Sequence, residues 1–202
     1  MARDLLDQLS IFTFKEAAVD ERPAARALFH EVYTHDIGHV PEDGLDDLAH
    51  HLIAKSTSGE VVASFRLLGP QLRPFDIERF CDLTHHIARD AKPALLGRLS
   101  IRHDMRSVQQ STLLQVGMLK LAVLFAQQHS LSDLFLYAMP HLITFYRGGF
   151  FTPLDCYFFY APLAVSMQIM QLNIRDLQDR YLKSRSTRLA FLLGSQPPNF
   201  VL

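Results

Sequence analysis

Hydrophobic positions change period in the middle of the chain. Between Leu96 and Arg102, Leu99 and Ile101 point one way along an extended segment, and Arg98, Ser100 and Arg102 point the other. After the polar break His103 to Ser107, Leu113, Val116, Gly117, Lys120, Leu121 and Leu124 recur at helical spacing. Leu114, Leu119, Val123 and Phe125 widen that face. The pattern predicts a strand with a polar face running directly into a mostly buried helix. The start of such a helix offers free amides to a phosphate.

The same reading extends to both ends. Ile11 to Ala18 reads as a strand. A helix follows, with Asp20 as N-cap, Pro23 in its first turn, and Ala24, Leu28, Val32 and Tyr33 on one face. It stops at Gly38, before a polar loop from Asp36 to Asp47. His50 to Lys55 and Val61 to Leu68 form a hairpin about Ser56 to Gly59. Pro70 and Pro74 open a second loop that carries a short helix through Ile77 to Leu83, and Pro93 precedes the central strand. Beyond the central helix come a strand at Leu134–Ala138, a short helix at His141–Tyr146, extended segments at Tyr157–Tyr160 and Leu163–Met170, and a charged helix at Ile174–Arg185. This order predicts one mixed α/β domain over residues 1–202, with its core in 11–170 and a C-terminal helix and tail in 171–202.

Composition narrows the class. The chain has 202 residues, 49% hydrophobic and 20% charged, with a formal net charge of −1, so nucleic acid is not an expected partner. No uninterrupted apolar run reaches the roughly 20 residues of a membrane span. The opening segment is amphipathic and unlike a leader peptide. Cys81 and Cys156 are expected as reduced buried thiols, and the compartment as cytoplasmic. Ten histidines invite a metal reading. However, His35 and His39 flank a loop glycine, and the pairs His50-His51 and His85-His86 diverge on regular elements, so no metal is expected. No Gly-x-Ser-x-Gly elbow is present for Ser-His-Asp chemistry.

Phe145-Tyr146-Arg147-Gly148-Gly149-Phe150 resembles the helix-end signature of the GNAT acyltransferases, and the order of elements is similar too. Three further segments resemble a narrower branch, the acyl-homoserine-lactone synthases and the long-chain N-acyl amino acid synthases. They are Asp46 to Leu52, Val62 to Leu68, and Gly97-Arg98-Leu99-Ser100-Ile101. The resemblance implies a mostly antiparallel central sheet flanked by helices. It also implies a splayed central strand pair, Arg98–Arg102 parting from Leu134–Ala138 to admit a pantetheine arm. The chain departs from the pattern at two places. Gln109 and Ser111 replace small residues of the pyrophosphate loop, and Leu95 stands where the branch carries a glutamate.

The resemblance also assigns roles. The donor is an acyl-carrier-protein or CoA thioester, and the acceptor is the amine of an amino acid or related small molecule. Arg66, Arg98 and Asp46 position the acceptor, unless the arginines merely pair with Asp46 or Asp47. A backbone amide at Ser100 polarises the thioester carbonyl, and Tyr146 or water protonates the departing thiolate, unless Tyr146 simply caps a core helix. Arg102, Arg106, Ser107 and Ser111 meet the donor's phosphate or an acidic carrier. His51 and His103 are the candidates for the missing base. The aromatic and methionine-rich stretch from Phe150 to Met170 lines an acyl channel or is plain core. The competing readings are an inactive domain that binds an acyl carrier or protein partner, and acylation of a protein side chain.

Overall fold

A computed structural model describes residues 2–148, 150–184 and 186–202. Gly149 of the helix-end signature and Arg185 of the charged helix lie outside them. The elements run α1 (Ala2–Leu9), β1 (Thr13–Glu16), α2 (Arg22–Ile37), β2 (His50–Lys55), β3 (Val61–Leu68) and β4 (Pro93–Ile101). They continue α3 (Val108–Gln128), β5 (Asp133–Ala138), α4 (Ile143–Gly148), β6 (Thr152–Tyr160), β7 (Val165–Asn173), α5 (Asp176–Ser184), α6 (Thr187–Leu193) and β8 (Phe200–Val201). Short 3-10 turns fill the β3–β4 connection at Pro70–Leu72, Asp76–Arg79 and Leu83–His85.

One sheet holds every strand, in the order β6-β7-β5-β4-β3-β2-β1-β8. Neighbours are antiparallel except β4 with β5 and β1 with β8. This is the mostly antiparallel α/β sheet that the sequence predicts, including the parted pair. β4 and β5 are in register only at Pro93↔Asp133, Ala94↔Leu134 and Leu95↔Phe135, although both strands run on.

The two faces of the sheet carry different cover. α3 lies over β1, β2 and β3, packing on Phe14, Leu52 and Phe65. By length and composition it is apolar enough to cross a membrane, but here it is the core helix, with Leu114, Met118, Leu121 and Ala122 buried. Its single buried lysine, Lys120, donates to the carbonyls of Phe191 (2.6 Å) and Gly194 (3.1 Å), tying α6 to the core. The other face is shared: α2 covers the β3 and β4 ends near Arg98, and the β3–β4 connection covers Leu68, Leu95 and Phe135. α2 ends as expected at Gly38, whose φ of 70° requires the left-handed region.

Two expectations need correction. Cys81 and Cys156 are not reduced thiols but a disulfide joining the β3–β4 connection to β6. Packing brings their Cα atoms to 5.6 Å across a separation of 75 residues, which spacing along the chain does not reveal. The expectation of a reducing compartment rested on free thiols and loses that support. The segment 171–202 is also more than a helix and tail, since β8 returns to pair in parallel with β1, Phe14 opposite Phe200. Their rings stack at 4.5 Å between centroids.

That stack constrains α3. A Cβ built on Gly117 would lie 2.2 Å from the Phe14 ring, which Phe200 pins from beyond. Gly117→Ala is therefore expected to lower stability by about 1–3 kcal/mol despite alanine's better helix propensity. In a thermal-melt double-mutant cycle, Phe14→Leu should cost less in the Gly117→Ala background than in the parent.

Candidate functional site

The site begins with an irregularity in β4. Ser100 pairs with Ser64 and Gly97 with Arg66, so Phe65 alone faces both Arg98 and Leu99. This bulge bends the strand just beyond the last residue paired with β5. Arg98 carries it with a φ of 56°, a conformation that a non-glycine residue holds only when its surroundings fix it.

The surroundings are ionic. Arg98 Nη1 donates to both oxygens of Asp46 (2.6 and 2.8 Å), and Nη2 donates to the Pro41 carbonyl (2.5 Å). Arg66, the cross-strand neighbour of Gly97, donates Nη1 and Nη2 to the two Asp43 oxygens (2.8 and 2.6 Å), and Nη1 also to Asp46 (3.0 Å). Arg98 also lies 4.4 Å over the Phe29 ring of α2. Both arginine side chains are nearly fully buried, at 4% and 7% exposure. Burial would raise the Asp43 carboxyl, but its bonds to Arg66 hold it below the usual value. The same acids lift Arg66 above its ordinary value against the pull of burial.

The arginines thus do not present an open clamp for a substrate carboxylate. They hold residues 41–46 against the central strands, with Asp46 the partner that sequence reading allowed and Asp43 one that it missed. Asp47 turns away to Arg26 on α2. Sequence alone offered no signal that distinguished Asp43 from any acid in a polar loop.

Where β4 and β5 part, a cleft of about 520 Å³ opens. Val32, Tyr33 and Ile37 of α2, Leu99 and Ile101 of β4, and Met139 and Leu142 after β5 supply its apolar wall. Asp36, Arg106, Ser111, Gln115 and His141 give it a polar margin. Backbone donors face it as well. Arg102 N–H donates to the Val62 carbonyl at 2.9 Å, so by alternation Ser100 N–H also turns to β3 and Ile101 N–H turns to the gap. The amide that sequence reading placed at Ser100 therefore belongs one residue on, and the Ser100 hydroxyl donates to the Arg98 carbonyl at 3.3 Å.

Tyr33, read from sequence as one more residue of an apolar helix face, is a central element of the site. It lines the cleft and interacts with Arg98, Arg66 and Tyr160, and burial first pushes its hydroxyl up to about 12. Tyr146 is buried between Phe145 and Phe151, near Tyr33, and burial raises its hydroxyl above the ordinary value. Both tyrosines keep their protons at neutral pH.

The donor end is less charged than expected. Arg102 is held by Asp104 (2.7 and 2.9 Å) and Glu60 (3.2 Å). Arg106 is held by Asp36 (2.7 Å) and the Ile101 carbonyl (2.8 Å). Ser107 caps α3 by accepting from Gln110 N–H, and Ser111 N–H donates back to the Ser107 carbonyl. The hollow at this helix start is lined by Gln8, Ile11, Ser107, Gln109, Gln110 and Leu113, with no cation. Of the histidines considered as bases, His51 lies beneath α2, its Nε2–H donating to the Asp46 carbonyl at 2.9 Å. Burial lowers its pKa. His103 contacts His35 and Asp36 at the end of α2. Neither histidine lies among the residues that line the cleft.

No protein-family model and no curated protein matches the chain. Among solved structures, it is similar to an N-acyl amino acid synthase from uncultured soil microbes, with a TM-score of 0.68 and 15% identity over 86% of this chain and 97% of that one. It is also similar to a CoA-dependent acyl-homoserine lactone synthase solved with SAM and isopentyl-CoA (TM-score 0.61, 15% identity, 86% of this chain and 89% of that one). A third is an acyl-CoA N-acyltransferase from Pseudomonas aeruginosa (TM-score 0.57, 20% identity, 79% and 97%). The fold is that of the GNAT acyltransferases.

The ionic cluster makes Arg98 a structural residue first. Arg98→Ala leaves Asp46 with Arg66 as its remaining guanidinium partner beside a bulge that Arg98 stabilised, and the expected loss is about 1.5–3 kcal/mol by chemical denaturation. Acid should act on the same cluster through Asp43. Its carboxyl is depressed in the folded chain, so its contribution is complete above the ordinary value of 3.8 and fades as pH falls through the folded value. Asp43→Asn is expected to lower the melting temperature at pH 7 and to flatten its decline on acidification.

Proposed function

We propose that the chain is an N-acyltransferase that moves a fatty acyl group from an acyl-carrier-protein or CoA thioester to the amine of an amino acid or related small molecule. The observation that carries this reading is the parting of β4 and β5 into an apolar cleft beside a bulge. A thioester fits that arrangement, with its pantetheine arm in the gap and its carbonyl at the bulge. The Ile101 amide polarises the carbonyl oxygen. The neutral amine attacks the carbonyl carbon, the C–N bond forms, the C–S bond breaks, and the thiolate leaves with a proton from Tyr33, Tyr146 or water, which the proton lost by the nitrogen restores. Arg66, Arg98, Asp43 and Asp46 keep the bulge in shape and define the acceptor side.

A carrier-protein donor is favoured over free CoA. The α3 start presents glutamine and serine instead of small residues, and Arg102 and Arg106 are already neutralised by carboxylates. A nucleotide diphosphate gains little there, whereas a carrier protein brings its own contacts. Leu95 supports the competing reading, an inactive domain that only holds an acyl carrier, because the glutamate of similar proteins is absent.

The deciding experiment incubates the purified chain with dodecanoyl thioesters of carrier protein and of CoA, each with a panel of amino acids, and weighs the products by mass spectrometry. N-acylated product establishes the activity, and faster turnover of the carrier thioester establishes the donor. Stable donor binding without product would establish the inactive reading.

Two outcomes follow for variants. Leu142→Trp fills the apolar wall and is expected to shift preference to shorter chains, since each methylene excluded forfeits about 0.8 kcal/mol, or roughly fourfold in binding. Competition between octanoyl and tetradecanoyl donors reads this directly. Tyr146→Phe leaves the packing intact, and should reduce turnover about a hundredfold if Tyr146 is the acid. An unchanged rate excludes Tyr146 and leaves the proton to Tyr33 or water.

A further inference from the structure

The acyltransferase reading needs a group to take a proton from the acceptor, and position 95 does not supply it. Leu95 is buried opposite Leu68 and Phe135, packed in one cluster with Phe75 and Ile77 of the β3–β4 connection. The residue between those two anchors is Asp76, the first of a 3-10 turn. With Phe75 and Ile77 both buried, Asp76 is held at the rim of the cluster, open to solvent.

This places it on the sheet face that α2 and the connection share. On that face Asp76 interacts with Arg66 of β3 and Tyr137 of β5, and Gly97 of β4 lies between those two strands. Arg66 pairs with Gly97, and the Tyr137 hydroxyl lies 3.6 Å from where a Gly97 Cβ would stand. Gly97 adds no side chain just before the bulge. The Tyr137 hydroxyl also interacts with Tyr33 of α2.

We propose that Asp76 is the catalytic base, taking the proton of an ammonium acceptor bound beside Arg66, Gly97 and Tyr137. The charges around it favour such a ligand. From β3 it faces Arg66, from the loop before β2 Asp43, from β5 Tyr137, and on its own turn the exposed Arg79. Arg66 and Arg98 are already matched by Asp43 and Asp46, so the Asp76 carboxylate is the charge left for a substrate cation. No ion pair holds it among the described residues, and although the residue as a whole is exposed, partial burial of its carboxyl pushes it above the ordinary value, which improves it as a base.

The step balances. The Asp76 carboxylate takes one proton from R–NH3+, and the resulting amine attacks the thioester carbon. A second proton leaves the nitrogen as the C–S bond breaks and replaces the one that the thiolate takes from its acid, and Asp76 returns the first proton to solvent. The acceptor is therefore a primary ammonium compound.

The proposal rests on the acyltransferase reading, and one experiment separates the two. Wild type, Asp76→Asn and Asp76→Glu are compared as full-length proteins from pH 5 to pH 10. They are assayed with dodecanoyl-carrier protein and the amino acid that wild type uses best, and with methoxyamine, which is uncharged at neutral pH. Asp76→Asn should lose about a hundredfold or more in kcat/KM at neutral pH with the amino acid. The deficit should shrink as pH approaches the pKa of the amine, and Asp76→Glu should recover part of it. Methoxyamine, with no proton to remove first, should be acylated at similar rates by all three. Loss of turnover equally with both nucleophiles, or a wild-type pH profile in Asp76→Asn, would overturn the role of Asp76 alone. No product from wild type with any amino acid would overturn the acyltransferase reading and this proposal with it.

Discussion

Two guanidiniums buried against a central sheet are untenable without acids, and the acids come from a loop with no regular structure of its own. Arg66 and Arg98 reach from neighbouring strands to Asp43 and Asp46, and in doing so fix residues 41–46. The same bonds hold Arg98 at positive φ, which holds the bulge, which in turn bends β4 where it leaves β5. Desolvation and pairing nearly cancel in such a cluster. Its contribution is therefore shape: with either partner missing, the strand has no reason to stay bent.

From that bend follow the two sides of the site. Toward β5, the sheet loses its hydrogen-bonding partner, and an apolar cleft with a free amide at Ile101 takes its place. On the face between α2 and the β3–β4 connection, Asp76 lies near Arg66 and Tyr137. Tyr33 lines the cleft and interacts with Tyr137, which suits a residue where donor and acceptor meet. The disulfide between Cys81 and Cys156 anchors the connection to β6, on the side away from α2. It limits how far the connection can move.

The sequence was informative wherever chemistry is local. The hairpin His50–Lys55 and Val61–Leu68, the stop of α2 at Gly38 and the long central helix follow from turn residues, a left-handed cap and helical periodicity, and each stands as read. The prominence of Arg66, Arg98 and Asp46 was also visible, because charged residues on otherwise apolar strands demand partners. Tyr33 was misread for a good reason. A tyrosine on an apolar helix face looks the same whether the surface opposite it is core or cleft.

What the amino-acid order determined by itself, then, is the set of strands and helices and the fact that charge must be buried among them. Only the tertiary structure decided which charges neutralise which. It set Asp43 on Arg66, sent Asp47 out to Arg26, and left Asp76 without an ion pair among the described residues. It also joined cysteines 75 residues apart and brought β8 back to β1. These outcomes share one physical cause. Periodicity is read along the chain over a few residues, whereas pairing energies depend on distances of a few ångströms between residues far apart in it, and those distances exist only once the core has packed.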